Sequence, residues 1–148
     1  MIMKKILLSS VALLSLVTTL PVNSPVSAQE SISPKAYSHS NGSWIQSNGR
    51  WWYKHSDGSY TKNGWEKINE TWYYFDSEGW MKTGWFNEYG NWYYLDDSGA
   101  MKTGWCLISG SWYYLNTSGV MQTGLQTIEG KQYYLADSGA MQTGWHQI

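Results

Sequence analysis

The sequence predicts an all-β solenoid of stacked β-hairpins, with about five 20-residue repeats followed by a terminal half-unit. Three recurring features predict it. Gly-Trp pairs recur at Gly64-Trp65, Gly84-Trp85, Gly104-Trp105 and Gly144-Trp145, with Gly124-Leu125 as the altered member. Between them run Trp72-Tyr73-Tyr74, Trp92-Tyr93-Tyr94 and Trp112-Tyr113-Tyr114, weakening to Gln132-Tyr133-Tyr134. A Gly-x-Met-(Lys/Gln)-Thr segment closes each unit, at Gly79–Thr83, Gly99–Thr103, Gly119–Thr123 and Gly139–Thr143. A looser first copy runs from Trp44 through Trp51-Trp52-Tyr53 to Gly64, one residue longer than the rest.

Taken in order, residues 1–28 have the layout of a secretory signal peptide. Lys4-Lys5 give the basic start, Ile6–Leu20 the apolar run, and Val26-Ser27-Ala28 a small-residue cleavage site. The apolar run is short for a bilayer span, so no membrane insertion is expected after cleavage. Residues 29–43 form a polar leader with Pro34 and His39, and the repeat array occupies 44–148. The mature chain then holds 8 basic against 11 acidic residues, a balance that argues against nucleic acid or anionic lipid as partner. Cys106 is the single cysteine and cannot form an intramolecular disulfide; it reads as a small apolar filler beside Trp105. All 11 Trp, 12 Tyr and 2 Phe fall after residue 28, so aromatic rings are expected to supply the packing that aliphatic residues usually provide.

Within a unit, Trp72–Phe75 has strong strand preference, and alternation puts Trp72 and Tyr74 on one face, Tyr73 and Phe75 on the other. Asp76-Ser77-Glu78-Gly79 reads as a turn and Trp80–Thr83 as the return strand. A loop carrying the Gly-Trp pair and a second turn, such as Glu88-Tyr89-Gly90 or Ile108-Ser109-Gly110, then leads to the next hairpin. A lone hairpin is marginal in water, so each unit must bury its face on the next.

The tryptophans come in pairs seven residues apart: Trp44/Trp51, Trp65/Trp72, Trp85/Trp92 and Trp105/Trp112. The fifth unit loses both at once, to Leu125 and Gln132, while its Tyr pair, turn glycine and Met141 persist. Two lost core rings would cost several kcal/mol. The joint loss therefore points to a shared task, the alternative being that the fifth unit is a terminal cap. Two indoles, a third aromatic ring and a methionine floor would suit a quaternary ammonium, each ring supplying about 0.5–2 kcal/mol. Three such contacts approach the −4 kcal/mol of a millimolar site, and several sites on one polymer would add about 10²–10⁴ in avidity.

The pattern GW-x₆-WYY-[FL]-x-x-x-G-x-M-x-TGW, running from Trp44 to the C-terminus, resembles the choline-binding (cell-wall-binding) repeats of Gram-positive surface proteins, the pneumococcal type especially. The resemblance implies a superhelix with sites between successive hairpins for the phosphocholine of teichoic and lipoteichoic acids, retained non-covalently at the cell surface. Choline or phosphocholine is then the ligand, and no cofactor is implied. Carried over, the cages are Trp44/Trp51 with Tyr74 and Met81, Trp65/Trp72 with Tyr94 and Met101, Trp85/Trp92 with Tyr114 and Met121, and Trp105/Trp112 with Tyr134. Strand alternation alone chooses between the two tyrosines of each pair. In the first unit Tyr60 stands where Met is expected, and Trp52 and Trp80 have no counterparts elsewhere.

Other readings are a carbohydrate (glucan)-binding module, since sugars also stack on rings, and a host-facing adhesin with a host-protein partner. Homodimer formation is compatible with the resemblance. An enzyme is not expected. The carboxylate pairs Glu66/Glu70, Asp76/Glu78 and Asp96/Asp97 lie in predicted turns or loops, His39, His55 and His146 are scattered, and metal-ligand spacing is absent.

Overall fold

A computed structural model describes residues 41–147, with the short strands Met3–Ile6 and Tyr37–Ser38 also placed; for these two strands and for 145–147 it describes the backbone only. Most of the expected signal segment and leader lies outside the described residues. The strands in chain order are β1 (Met3–Ile6), β2 (Tyr37–Ser38), β3 (Gly42–Ser47), β4 (Arg50–His55), β5 (Gly64–Ile68), β6 (Thr71–Phe75), β7 (Gly84–Glu88) and β8 (Asn91–Leu95). They continue as β9 (Gly104–Ile108), β10 (Ser111–Leu115), β11 (Gly124–Ile128), β12 (Lys131–Leu135), β13 (Met141–Gln142) and β14 (Gly144–Gln147). The pairs β3–β4, β5–β6, β7–β8, β9–β10 and β11–β12 are antiparallel hairpins. β2 adds to β5 in parallel, and β1 pairs with β14. Among the described residues the fold is all-β.

The hairpins differ from the expected ones. The Gly-Trp stretch is itself a strand, and it pairs with the aromatic strand that follows it, with Trp65 opposite Tyr74 and Glu66 opposite Tyr73. The expected return strand shrinks to a single bridge, Phe75 to Met81, repeated at Leu95–Met101 and Leu115–Met121. Two-residue turns decide this. Tyr89-Gly90, Ser109-Gly110, Glu129-Gly130 and Asn48-Gly49 all have φ positive at both positions, the conformation whose twist matches two flanking strands. The Asp76–Gly79 stretch is a wider loop, pinned by Asp76 Oδ1, which accepts hydrogen bonds from Glu78 N and Trp80 N at 2.9 Å each. Asp96 and Asn116 repeat the device. Burial would raise the Asp96 pKa, but the Ser98 hydroxyl, the Ala100 and Ser98 amides and Lys102 outweigh it and hold the carboxyl below its ordinary value.

The second hairpin closes on Asn69-Glu70, with φ of 46° and 64°. Glu70 occupies the place where the other four turns have glycine, and a side chain there costs about 1–2 kcal/mol. Its exposed contact with Lys67 at 2.6 Å returns little of that. Glu70→Gly is therefore expected to stabilise the array by about 1 kcal/mol, read as a raised urea midpoint at unchanged slope.

The stitches between units are backbone hydrogen bonds. Met81 N donates to Trp51 O at 2.7 Å, Met101 N to Trp72 O at 2.9 Å and Met121 N to Trp92 O at 2.8 Å. Inside runs a file of fully buried side chains at the repeat spacing: Phe75, Leu95, Leu115 and Leu135, with Ile68, Ile108 and Ile128 beside it. The innermost positions are thus mostly aliphatic, while the rings expected to supply the packing, Tyr53, Trp65 and Phe86 among them, are buried around this file. Strand alternation explains this, because one apolar residue per hairpin points inward while the tyrosines and tryptophans flank it. The first and second hairpins are joined by a buried polar pair, His55 Nε2 to Glu66 Oε1 at 2.9 Å, at 7% and 0% exposure.

Candidate functional site

Each hollow follows from register. Opposed residues of a hairpin share a face, so Trp65 and Tyr74 look one way while Tyr73 and Phe75 look the other, back onto the preceding unit. Trp44 therefore meets two tyrosines edge-on: Tyr53 of its own hairpin at 5.1 Å and Tyr73 of the next at 4.8 Å. The arrangement repeats. Trp65 lies 5.3 Å from Tyr74 and 5.0 Å from Tyr93, Trp85 lies 5.1 Å from Tyr94 and 4.9 Å from Tyr113, and Trp105 lies 5.2 Å from Tyr114 and 4.7 Å from Tyr133.

Among the described residues, hollows open between successive hairpins at three places. The first is lined by Trp44, Trp51, Tyr73 and Met81, the second by Trp65, Trp72, Tyr93 and Met101, and the third by Trp85, Trp92, Tyr113 and Met121. The expected tryptophan pairs and methionines are brought together at these three places. The expected tyrosines are not. Tyr74, Tyr94 and Tyr114 stand across from the loop tryptophans of their own hairpins, and Tyr134 stands opposite Leu125. The first tyrosine of each pair takes the place assigned to the second. Tyr74 shares Trp72's face and packs on Trp65 at 5.3 Å and Phe86 at 4.6 Å, lining none of the three hollows. Trp105 follows the same rule, with Tyr133 as the ring from the next hairpin.

The wall missed by the sequence comes from two units further on. Asp97 and Ser98 line the first hollow, Thr117 and Ser118 the second, Asp137 and Ser138 the third. The methionine explains how a turn reaches so far: Met101 presses on Gly119, where a Cβ would come within 2.5 Å of its Sδ. Glycine at that turn leaves room for the sulfur, and the turn is drawn down over the hollow.

The hollows are unequal. The first and third measure about 360 and 370 Å³, the second about 70 Å³. Phe86, where other units have Glu66, Cys106 or Gln126, lies 5.4 Å from both Trp65 and Tyr93 and fills the space beneath them. Trp65 is 3% exposed, and its Nε1 donates to Glu88 Oε2 at 2.8 Å. By contrast Trp51 and Trp92 are 38% and 45% exposed, open to a ligand. Asp97 and Asp137 add a carboxylate at the first and third lips, where the second has Thr117.

Tyr74 reports on the closed environment. Burial first, then the nearby Glu88 charge and a hydrogen bond to it, push its pKa up to about 12. The neutral phenol is favoured by folding, so its contribution is complete below pH 10 and disappears as pH rises toward 12, the unfolded chain ionising first. Stability should fall across that window, and Tyr74→Phe should flatten the fall in urea unfolding at stepped alkaline pH.

Burial raises the Cys106 thiol, with Lys102 opposing, and its Sγ lies near the Thr103 and Gly104 carbonyls, consistent with a filler role. Among the described residues no group of three or more His, Cys, Asp or Glu is placed to hold a metal ion.

Residues 62–104 match the family profile of the choline-binding repeat, and residues 103–121 and 123–141 match that of the cell wall binding repeat. Among solved structures, CbpJ from Streptococcus pneumoniae TIGR4 is similar, with 41% identity over 74% of this chain and 38% of its own, at a TM-score of 0.68. Choline binding protein F from Streptococcus pneumoniae, in the presence of a peptidoglycan analogue, is 40% identical over 73% of this chain and 40% of its own, at 0.65. The multimodular pneumococcal cell wall endolysin from phage Cp-1, complexed with choline, is 40% identical over 80% of this chain and 34% of its own, at 0.61. The chain thus spans 34–40% of the length of these three structures. No curated protein matches it.

Proposed function

On the premise that this chain belongs to the choline-binding repeat proteins, we propose that it attaches non-covalently to a bacterial cell wall by gripping the phosphocholine of teichoic and lipoteichoic acids. The observation that carries this reading is the repeated hollow: two indoles, a phenol and a thioether set around a space between hairpins, in steps of one unit. Methyl groups on a quaternary nitrogen fill apolar walls, while its charge is drawn to the ring faces. The ammonium has no N–H to satisfy, so walls without hydrogen-bond acceptors suit it. Asp97 and Asp137 add long-range attraction at the lips of the first and third hollows, an effect that salt screens. The endolysin complexed with choline supports the same ligand here. Cell-surface retention follows from multivalency, since the hollows recur along one rigid scaffold and the ligand recurs along a polymer.

The chain acts as a binding module, and no catalytic step is assigned to it. The test is retention of the secreted chain on an immobilised quaternary amine. Elution by free choline, and not by glucose polymers, is expected. Elution by glucose polymers with indifference to choline would replace this reading with a glucan-binding one.

A further inference from the structure

Trp52, Tyr60 and Trp80 of the first two units line none of the ammonium hollows. They surround a separate cleft of about 190 Å³, completed by Glu78 and Gly79. Trp52 meets Tyr60 edge-on at 5.3 Å and 70°. Tyr60 lies over Gly79, where a Cβ would come within 2.6 Å of its ring carbons, and this is the contact that Met101 makes with Gly119. Trp52 in turn precedes Tyr53, which is opposite Trp44, just as Tyr73 precedes Tyr74, which is opposite Trp65. The cleft therefore occupies the position one step before the first hollow. It has the next-hairpin ring, the floor and the turn, but a different wall. In place of a tryptophan pair stands Trp80, where the equivalent positions carry Ala100, Val120 and Ala140.

Its electrostatics also differ. The Arg50 guanidinium lies 4.1 Å from the centre of the Trp80 ring, and its Nη1 is 3.7 Å from Glu78 Oε2. The carboxylate charge is matched, and a cation already holds a face of the indole. A quaternary ammonium entering here would meet Arg50 at short range. A neutral ring with an apolar face and a polar edge meets no such opposition. Its C–H face can stack on the indole and phenol rings, while hydroxyls at its edge accept from the Arg50 fork and donate to Glu78. We propose that this cleft is a subsite for one neutral sugar ring, separate from the ammonium hollows and independent of whether those bind choline.

The test uses saturation-transfer NMR on the full secreted chain, with methyl β-glucoside and N-acetylglucosamine as probes in excess choline chloride. Transfer to the ring C–H protons of at least one sugar is expected. It should fall to background in Trp80→Ala, a change that reproduces the alanine of the equivalent turns and leaves the fold intact. The choline titration should be the same in both proteins. The proposal is overturned if neither sugar receives transfer, or if Trp80→Ala receives as much as the parent. It is equally overturned if Trp80→Ala binds one choline fewer, which would make the cleft another ammonium site.

Discussion

Glu66→Ala is expected to destabilise the N-terminal end of the array by about 3–5 kcal/mol, the largest single-residue effect anticipated on stability. Glu66 is fully buried at the junction of the first two hairpins and accepts or shares a proton with His55 Nε2 at 2.9 Å. The ring's other nitrogen, Nδ1, lies 2.8 Å from Ser59 Oγ. Removing the carboxylate takes from a buried imidazole its short contact and leaves a void beside Tyr53, whose phenol pKa is raised by burial and then by the Glu66 charge. Glu66→Gln keeps the shape and one hydrogen-bonding group and should cost less. Because stability in a repeat array is roughly a sum of local and nearest-neighbour contributions, the damage should stay near the first two units. Urea unfolding of Glu66→Ala should show an early loss of structure in units one and two, with the third hollow persisting. A midpoint within error of the parent would show that the pair contributes nothing.

Trp51→Ala and Trp92→Ala are expected to disable the first and third hollows while sparing the fold. Both rings are more than a third exposed, so their loss opens little interior space. Each removes one face from a ligand cage, worth about 0.5–2 kcal/mol, or roughly 2- to 30-fold in the affinity of that site. Together they leave the contracted second hollow and the Trp105–Trp112 pair. Retention on a polymer bearing many quaternary ammonium groups should then fall by roughly 4- to 900-fold, the product of the two site losses, since linked sites multiply their affinities. Trp72→Ala, at the second hollow, should change retention far less, because that space is already reduced to about 70 Å³ with Phe86 packed under Trp65 and Tyr93.

Much of this was legible in the chain because a repeat states its rule several times. The Gly-Trp spacing, the paired loss at Leu125 and Gln132, and the methionine at a fixed place gave the array and three cage components. Hairpin identity was less legible. Asp76–Gly79 has better turn composition than Asn69-Glu70, yet left-handed backbone at Asn69 and Glu70 makes the tighter reversal, and that conformation leaves only a weak mark when the residue is not glycine. The tyrosine assignment failed for a different reason. Alternation separates Tyr73 from Tyr74, but which face looks backward depends on which strand pairs with which, so the error in the hairpin carried into the cage. Asp97, Thr117 and Asp137 were out of reach. Their contacts cross two units, and no local pattern distinguishes a turn residue over a hollow from one in solvent. The same holds for the closed second hollow, where Phe86 looks like one more variable position between Trp85 and Asn87.

A methylated ammonium held between successive hairpins would lie against the indoles of Trp51 and Trp92. Titrating choline chloride into isotope-labelled chain while following the tryptophan indole N–H resonances tests it directly. Saturable shifts of Trp51 and Trp92 are expected, reproduced by tetramethylammonium and absent with glucose. Resonances of both tryptophans that stay in place at saturating choline, in a folded chain, would contradict it.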